Sequence, residues 1–287
     1  MSAGRAVRQA TVFTHGRPEE TAGALGHLIE AAAGAGVTLR FDEAETRKHS
    51  LKPGPSLRLD ADVLDEVDLC FALGGDGTIL RALRHYFRTA VPVFAINFGQ
   101  IGFLSTIEPE QIADGVRKAL AGEFELLRLP AILLEGLEEP QHAVNDVAIH
   151  RKVGERVAQL SYSFDGEELG SVRCDGIVVA TPAGSTGYNL ANGGPVMAWG
   201  VEGFDVSFIA PHSLTARALV VAPGDEMTIH NSSDESLDVS VDGRPIGAMK
   251  PRASVTVSFA DDRYLIAQLP GSSFYRRLRE KFGRLAR

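Results

Sequence analysis

The sequence predicts an α/β, Rossmann-like N-terminal domain followed by a β-rich, antiparallel, sandwich-like C-terminal domain. Three observations carry this. Apolar runs of strand length alternate with amphipathic helical stretches over about the first 120 residues. A glycine-rich turn, Gly74-Gly75-Asp76-Gly77-Thr78, joins one such run to a helix. After Glu123 the spacing changes to apolar/polar alternation, the mark of half-buried antiparallel strands. The domains are expected at 1–122 and 123–264.

In chain order, Ala10–Phe13 is a short strand. Glu19–Ala33 is a helix with Ala22, Leu25, Leu28, Ile29 and Ala32 along one stripe. Val37–Phe41 is a second strand and Val67–Leu73 a buried one. Thr78–Phe87 reads as a helix with Ile79, Leu80, Leu83, Tyr86 and Phe87 on one face. Val91–Phe98 is a further strand ending at Gly99, and Pro109–Ala121 is helical. In the second domain Ala158, Leu160, Tyr162 and Phe164 alternate with Gln159, Ser161 and Ser163, and Asp165-Gly166 turns the chain into a returning strand. Leu237, Val239 and Val241 repeat the alternation, as do Val255, Val257 and Phe259. Ser272-Ser273 reads as the N-cap of a basic amphipathic helix. Its face of Phe274, Leu278 and Phe282 is expected to dock on its own protein.

The 287 residues are 44% hydrophobic and 23% charged, enough to build two packed domains, and disorder is not indicated. A net charge of −8 argues against a generic nucleic-acid surface, while leaving room for a cleft in which arginines dominate. No apolar stretch approaches the roughly 18 residues of a membrane helix, and Met1–Arg5 lacks the apolar run of a signal peptide. Cys70 and Cys174 sit in apolar contexts away from any second thiol or metal-spaced histidine. They read as buried free thiols of a reducing cytosol. The expectation is a cytoplasmic protein without nucleic-acid or membrane partners.

Gly74, Gly75 and Gly77 let the backbone approach a ligand without Cβ clashes. A helix N-terminus beyond them offers unpaired N–H groups and partial positive charge, which suits a phosphate. Asp76 is then the odd residue. A carboxylate beside a polyphosphate is repelled by it, unless it serves a hydroxyl, a proton or a metal. The combination points to phosphoryl transfer to an alcohol. The plainer reading of Asp76 is a helix cap or turn residue.

The second dense signal is the segment from Arg173 to Pro195, where the strand Ile177–Ala180 runs into a long small-residue loop. It reads as too polar and glycine-rich to be core, and as a nucleotide cradle of hydroxyls, backbone amides and the flat ring of Tyr188. The alternative is a Ser/Gly surface turn. Asn145-Asp146 could read a base edge or ribose hydroxyls, or simply make a turn. His212 and Arg217 form a further polar cluster, and nothing near them has triad or zinc spacing.

Taken together and in order, these segments resemble the NAD kinase family. The match comprises GGDGT at Gly74–Thr78, NFGQIGFL at Asn97–Leu104, ND at Asn145–Asp146, DGIVVATPAGSTGYNLANGGP at Asp175–Pro195, APHSLTAR at Ala210–Arg217 and VDGR at Val241–Arg244. GGDGT is shared with lipid kinases and resembles the GGDGS-type loop of phosphofructokinases. The long Asp175–Pro195 segment joined to PHSLTAR is far more specific.

The resemblance implies phosphorylation of the adenosine-ribose 2′-hydroxyl of NAD, giving NADP. It implies that the C-terminal segment 265–287 returns to the first domain. It assigns Asp76 as the catalytic carboxylate, with Gly74, Gly75, Gly77 and Thr78 around it, and Arg81 reaching toward the phosphates. It places Phe103 near the adenine, Asn145 and Asp146 on nucleotide, and Arg173, Asp175, Thr186, Gly187, Tyr188, Asn189, Leu190 and Ala191 on substrate. Ala210 and Arg244 complete the set. Asp146 stands where many members have Glu, and Gly187 where some have Ala. ATP or polyphosphate is the expected donor, and a dimer or tetramer the expected assembly. Mg²⁺ is expected to arrive with the donor triphosphate rather than in a protein cage. Two rivals follow from the same loops: a lipid kinase, and a non-catalytic dinucleotide sensor that has kept the fold.

Overall fold

A computed structural model describes residues 6–99 and 102–283, so Gln100 and Ile101 of the NFGQIGFL stretch, and residues 1–5 and 284–287, lie outside the described residues. The chain divides into two compact units. One comprises residues up to Arg128 together with those from Tyr264 on; the other is Leu129–Arg263.

In the first unit, strands β1 (Gln9–Thr14), β2 (Thr38–Arg40), β3 (Leu57–Arg58), β4 (Leu69–Gly74) and β5 (Val93–Asn97) form a parallel sheet in the order β3-β2-β1-β4-β5. The end of the last strand (Ser254–Gln268) adds to it, pairing Ile266 with Val93 in parallel. Helices α1 (Pro18–Ala35), α2 (Glu43–Lys48), α3 (Asp76–His85) and α4 (Ile112–Leu120) connect or cover the strands. A 3-10 turn, Pro109–Gln111, leads into α4. Leu25, Leu28 and Ala32 of α1 join Val12, Leu39, Phe71 and Phe94 in one core. The order reverses between β1 and β4, and in such sheets ligands bind at the carboxyl ends of the strands beside that reversal. The Gly74–Thr78 turn lies there, immediately after β4.

Several boundaries depart from the sequence reading. The α1 stripe includes Ala24 and Thr21, while Ala22 faces solvent. Helix α3 begins at Asp76, not Thr78, and ends before Tyr86. Gly75, in extended conformation, is the N-cap, so Asp76 is the first residue of the helix rather than its cap. Helix α2 and strand β3 were not expected. α2 has no apolar period; it is held by the Asp42 carboxylate, which accepts the Glu45 amide at 2.7 Å.

In the second unit every strand pair with a described register is antiparallel. After β6 (Glu125–Glu135) and β7 (Gln141–Ala143), which pair at Ile132 and Ala143, come β8 (Asp146–Arg151), β9 (Ala158–Phe164), β10 (Glu167–Cys174) and β11 (Gly176–Ala180). The short helix α5 (Tyr188–Ala191) precedes β12 (Phe204–Ile209), β13 (Leu219–Val221), β14 (Glu226–Asn231), β15 (Leu237–Val241), β16 (Arg244–Met249) and the start of β17 (Ser254–Gln268). One layer orders β10-β9-β14-β17 and the other β13-β12-β11-β8-β15-β16. Leu160, Ile229 and Val257 of the first layer pack with Ile149, Val179, Val206 and Val239 of the second in a shared core. The expected hairpin between β9 and β10 turns at Asp165 and Gly166, with φ of 47° and 83°.

The last helix, Phe274–Phe282, belongs to the first unit. Phe274 and Leu278 are buried, so its apolar face does dock on the protein. Cys70 and Cys174 are buried free thiols, and burial pushes both up, Cys174 to about 11.

Candidate active site

The turn after β4 is built by close packing of glycines. A Cβ on Gly99 would lie 2.9 Å from the Gly75 Cα, and one on Gly74 would collide with the Thr78 side chain. Gly77 is different: a Cβ there meets nothing within 4 Å, so its face is open. The Thr78 amide closes back on the Gly75 carbonyl at 2.9 Å. The amides of Asp76 and Gly77, first in the helix, have no acceptor within it.

The Asp76 carboxylate is half-buried, and its Oδ1 is enclosed without a hydrogen-bond partner. Burial pushes its pKa above the usual carboxylate range; Lys281, the Leu104 amide and Arg277 pull it back. A carboxylate oxygen left without a partner can accept a proton from a hydroxyl brought within hydrogen-bond reach.

Arg81 is not free. It donates to Glu45 at 2.7 Å and to the Thr14 carbonyl at 3.2 Å, and lies 4.8 Å from the centre of the Phe13 ring. Burial alone would raise Glu45, but Lys48 and the Thr14 hydroxyl and amide hold it below its usual range. An incoming anion must compete with Glu45 for this guanidinium. Phe103 is 4% exposed, stacked on Phe282 at 5.5 Å and near Phe274 at 6.1 Å, so its ring is covered by the last helix.

In the second unit the small-residue segment corrects the sequence reading: it is core. Thr181, Ser185, Thr186 and Asn189 are all buried. Their hydroxyls and the Asn189 amide nitrogen are spent on the segment itself and its support, while Asn189 Oδ1 is buried without a partner. The Thr181 hydroxyl donates to the Val144 carbonyl at 2.6 Å. The Ser185 hydroxyl donates to the Pro182 carbonyl at 2.7 Å and accepts the Met197 amide at 2.9 Å. Thr186 donates to the Ala183 carbonyl and Asn189 to the Pro195 carbonyl. Gly187, Tyr188 and Ala191 remain exposed and Leu190 partly so. Gly187 would tolerate a Cβ with slight movement, 3.3 Å from the Gly184 carbonyl.

Asp175 and Tyr188 line one cavity of about 290 Å³, together with His150, Arg151, Val153, Gly154 and Ile209. Arg151 Nε donates to Asp175 at 2.6 Å and holds its carboxyl below the usual range. Asn145 and Asp146 sit beside this segment's root: the Asn145 carbonyl accepts the Thr181 amide at 2.8 Å. Asn145 Oδ1 is buried without a partner. Asp146 lies in one cross-strand row with Ala180 and Asp205, on the face away from the core. Burial pushes Asp146 up to about 7, with Asp242 adding to the rise, and burial pushes Asp205 up to about 7. Ala210, at φ 43°, and Arg244 are exposed, as is Arg173, whose carbonyl accepts the His212 amide. Arg217 donates to the carbonyls of Leu214 and Ala216.

Sequence reasoning missed the supports. Asp242 accepts the Asn145 amide at 2.7 Å and the Val144 amide at 3.3 Å, a role that its place in the VDGR segment did not reveal. Glu45, Lys48, Arg151, Arg277 and Lys281 gave no motif. Among the described residues no group of three or more His, Cys, Asp or Glu is placed to hold a metal ion.

Two family models match the chain: the ATP-NAD kinase N-terminal domain over residues 18–124 and the ATP-NAD kinase C-terminal domain over residues 144–269. The chain is 32% identical over 266 residues to the NAD kinase of Gemmatimonas aurantiaca, covering 90% of each sequence. Among solved structures it resembles the NAD kinase of Archaeoglobus fulgidus in complex with ATP, at 27% identity and a TM-score of 0.75, covering 96% of this chain and 97% of that one. The fold also matches yeast NADH kinase complexed with NADH, with a TM-score of 0.87 at 22% identity, covering 99% and 89%.

Proposed function

This chain belongs to the ATP-NAD kinase family, and we propose on that premise that it is an NAD kinase that carries a phosphoryl group from ATP to the 2′-hydroxyl of the adenosine ribose of NAD. The observation that supports the chemistry is the placement of Asp76. It begins a helix at the carboxyl end of β4, beside unpaired amides, with one carboxylate oxygen unpartnered.

A ribose hydroxyl is a poor nucleophile at neutral pH. Asp76 orients it and takes its proton as the new O–P bond to the γ-phosphorus forms and the bond to the bridging oxygen breaks, releasing ADP, a contribution of about 10²–10⁴ in rate. The larger share comes from holding the phosphates and neutralising charge on the transferred group. The Asp76 and Gly77 amides serve that role, and the open face of Gly77 leaves the phosphate room. Arg81 joins once drawn from Glu45. The donor's Mg²⁺ suits this loop, because a single unpartnered carboxylate oxygen is what an ion held mainly by phosphate and water requires. When bound, the ion neutralises phosphate charge. In the second unit, the cavity of Asp175 and Tyr188 offers a carboxylate and an aromatic face to the dinucleotide.

The test is a donor-by-acceptor matrix on purified protein: ATP and polyphosphate against NAD, NADH and a diacylglycerol. NADP formed from ATP and NAD is the expected result. Lipid phosphorylation, or no transfer with tight dinucleotide binding, would overturn the reading in favour of the two rivals. Use of polyphosphate, assembly as a dimer or tetramer, and a cytoplasmic location are part of the same proposal.

A further inference from the structure

We infer that Lys48, at the end of α2, is a positioning residue for Arg81: as the second cation on the buried Glu45 carboxylate, it allows Arg81 to leave that carboxylate for the donor's phosphates. The inference rests on the reading in which Arg81 meets those phosphates, and it adds the residue that governs the release.

Helices α2 and α3 meet the end of β1 at Glu45, which is 1% exposed. Its Oε1 accepts Arg81 Nη2 at 2.7 Å and the Thr14 amide at 3.1 Å. Its Oε2 accepts the Lys48 ammonium at 2.8 Å and the Thr14 hydroxyl at 2.6 Å. The two cations are held differently. Lys48, 17% exposed, also donates to the Thr14 hydroxyl at 2.9 Å and to the carbonyls of Thr14 at 3.1 Å and His15 at 3.2 Å, so its ammonium is fixed on every side. The Arg81 side chain is 47% exposed. Both of its hydrogen bonds, to Glu45 and to the Thr14 carbonyl, leave from Nη2, while Nη1 and Nε have no partner among the described residues.

A buried carboxylate stripped of its only cation carries a charge that neither water nor protein meets, and that is far costlier than loss of an exposed pair. With Lys48 in place, Glu45 keeps a counter-ion, a hydroxyl and an amide when Arg81 departs. Burial pushes the Glu45 carboxyl up, and the contacts from Lys48 and Thr14 outweigh it, so the groups that keep it charged are those that stay. His49 lies 2.7 Å from the Thr14 hydroxyl, and burial pushes it below its usual range, so it does not replace either cation. Arg81 is the cation that can be spared, and it keeps two of its three nitrogens free for a phosphate.

The experiment measures kcat/KM for Mg-ATP at saturating NAD, and KM for NAD at saturating Mg-ATP. The proteins are the wild type, Lys48→Met, Arg81→Met, Glu45→Gln and the Lys48→Met/Glu45→Gln pair, with a melting temperature for each. Lys48→Met should lower kcat/KM for ATP about tenfold and leave KM for NAD within about twofold of the wild type. The loss should not exceed that in Arg81→Met, because the most this variant can do is leave Arg81 on Glu45. Adding Glu45→Gln removes the charge that holds Arg81, so the pair should return to within about threefold of the wild type. A simple staple between α2 and β1 predicts a lower melting temperature with donor kinetics unchanged, or equal losses toward both substrates. Either result, or a donor-specific loss that Glu45→Gln does not relieve, overturns the inference. If Lys48→Met does not fold, Lys48→Gln takes its place with the same expectation. Should Arg81→Met keep the wild-type kcat/KM for ATP, the assignment of Arg81 to the donor fails and the inference with it. A loss in Arg81→Met with none in Lys48→Met sinks the inference alone.

Discussion

The Gly74–Thr78 turn and the Thr181–Pro195 segment are both rich in glycine and hydroxyl residues, yet they spend them in opposite directions. The turn packs its glycines closely and leaves free backbone amides and one half-buried carboxylate with an unpartnered oxygen. The segment buries its hydroxyls and Asn189, bonding Ser185, Thr186 and the Asn189 amide nitrogen to its own carbonyls and Thr181 to Val144, and leaves Gly187, Tyr188, Ala191, Gly193 and Pro195 exposed. The first region is a site made by what glycine omits. The second is a scaffold made by what serine and threonine hydroxyls and the Asn189 amide N–H can satisfy internally. A polar side chain near a ligand is thus no measure of contact. A buried hydroxyl that meets its own backbone stabilises the loop, and its loss leaves unpaired groups behind.

The contrast can be broken at either end. The largest effect is expected from Asp76→Asn, which should lower kcat by at least about 10²–10⁴ while isothermal titration still detects NAD. Near-normal turnover would make the turn a structural cap. Ser185→Ala should cost about 2 kcal/mol of stability in urea unfolding, because the Met197 amide is left buried without its acceptor. A variant as stable as wild type but with weakened NAD binding would return that hydroxyl to the ligand.

Asp205 offers a pH-dependent test of the scaffold. Its folded pKa of about 7 lies above the unfolded carboxylate value, so the native state holds the extra proton. Its contribution to stability is full below about pH 4 and is lost as pH rises through about 7. Asp205→Asn, neutral at every pH, should therefore be more stable than wild type by about 1–2 kcal/mol at pH 8 and show little gain at pH 4. Equal destabilisation at both pH values would mean that the ionised form is the native one. The smallest change in stability is expected at Gly77. Gly77→Ala lies in open space at the first turn of a helix and should gain up to about 1 kcal/mol. It should nonetheless lose activity, since the added methyl group stands where phosphate is proposed to lie.

Much of the fold was legible because its signals are local. The β/α alternation before Glu123 and the period-two strands after it announce two kinds of layer. Asp165-Gly166 announces a hairpin that the structure contains. The Gly74–Thr78 motif was legible as a strand-to-helix turn, although the helix starts two residues earlier than its apolar period suggests. That period marks where a helix becomes buried, and the first turn can lie before it. Helix α2 was illegible since its anchor is a single cap and its value lies in Glu45, whose partners Thr14 and Arg81 are far away in the chain. The inward turn of Ser185 and Asn189 was illegible for the same reason. Composition reports hydrogen-bonding capacity, whereas only three dimensions report which groups absorb it. Arg277 and Lys281 read as ordinary basic residues on a surface helix, and their bearing on Asp76 depends on the docking of that helix.

The parallel pairing of Ile266 with Val93 has a consequence for how the protein is made. During synthesis, β5, with its apolar sequence Val93-Phe94-Ala95-Ile96, emerges long before the strand that will lie alongside it. Until the ribosome has delivered Ile266, the Val93 end of that flank lacks its partner, whereas Ala95 and Asn97 meet Thr106 and Ile107 soon after they emerge. A premature stop anywhere in the second unit would leave it so, and the fragment should be prone to aggregation even with every residue of the Gly74–Thr78 turn in place.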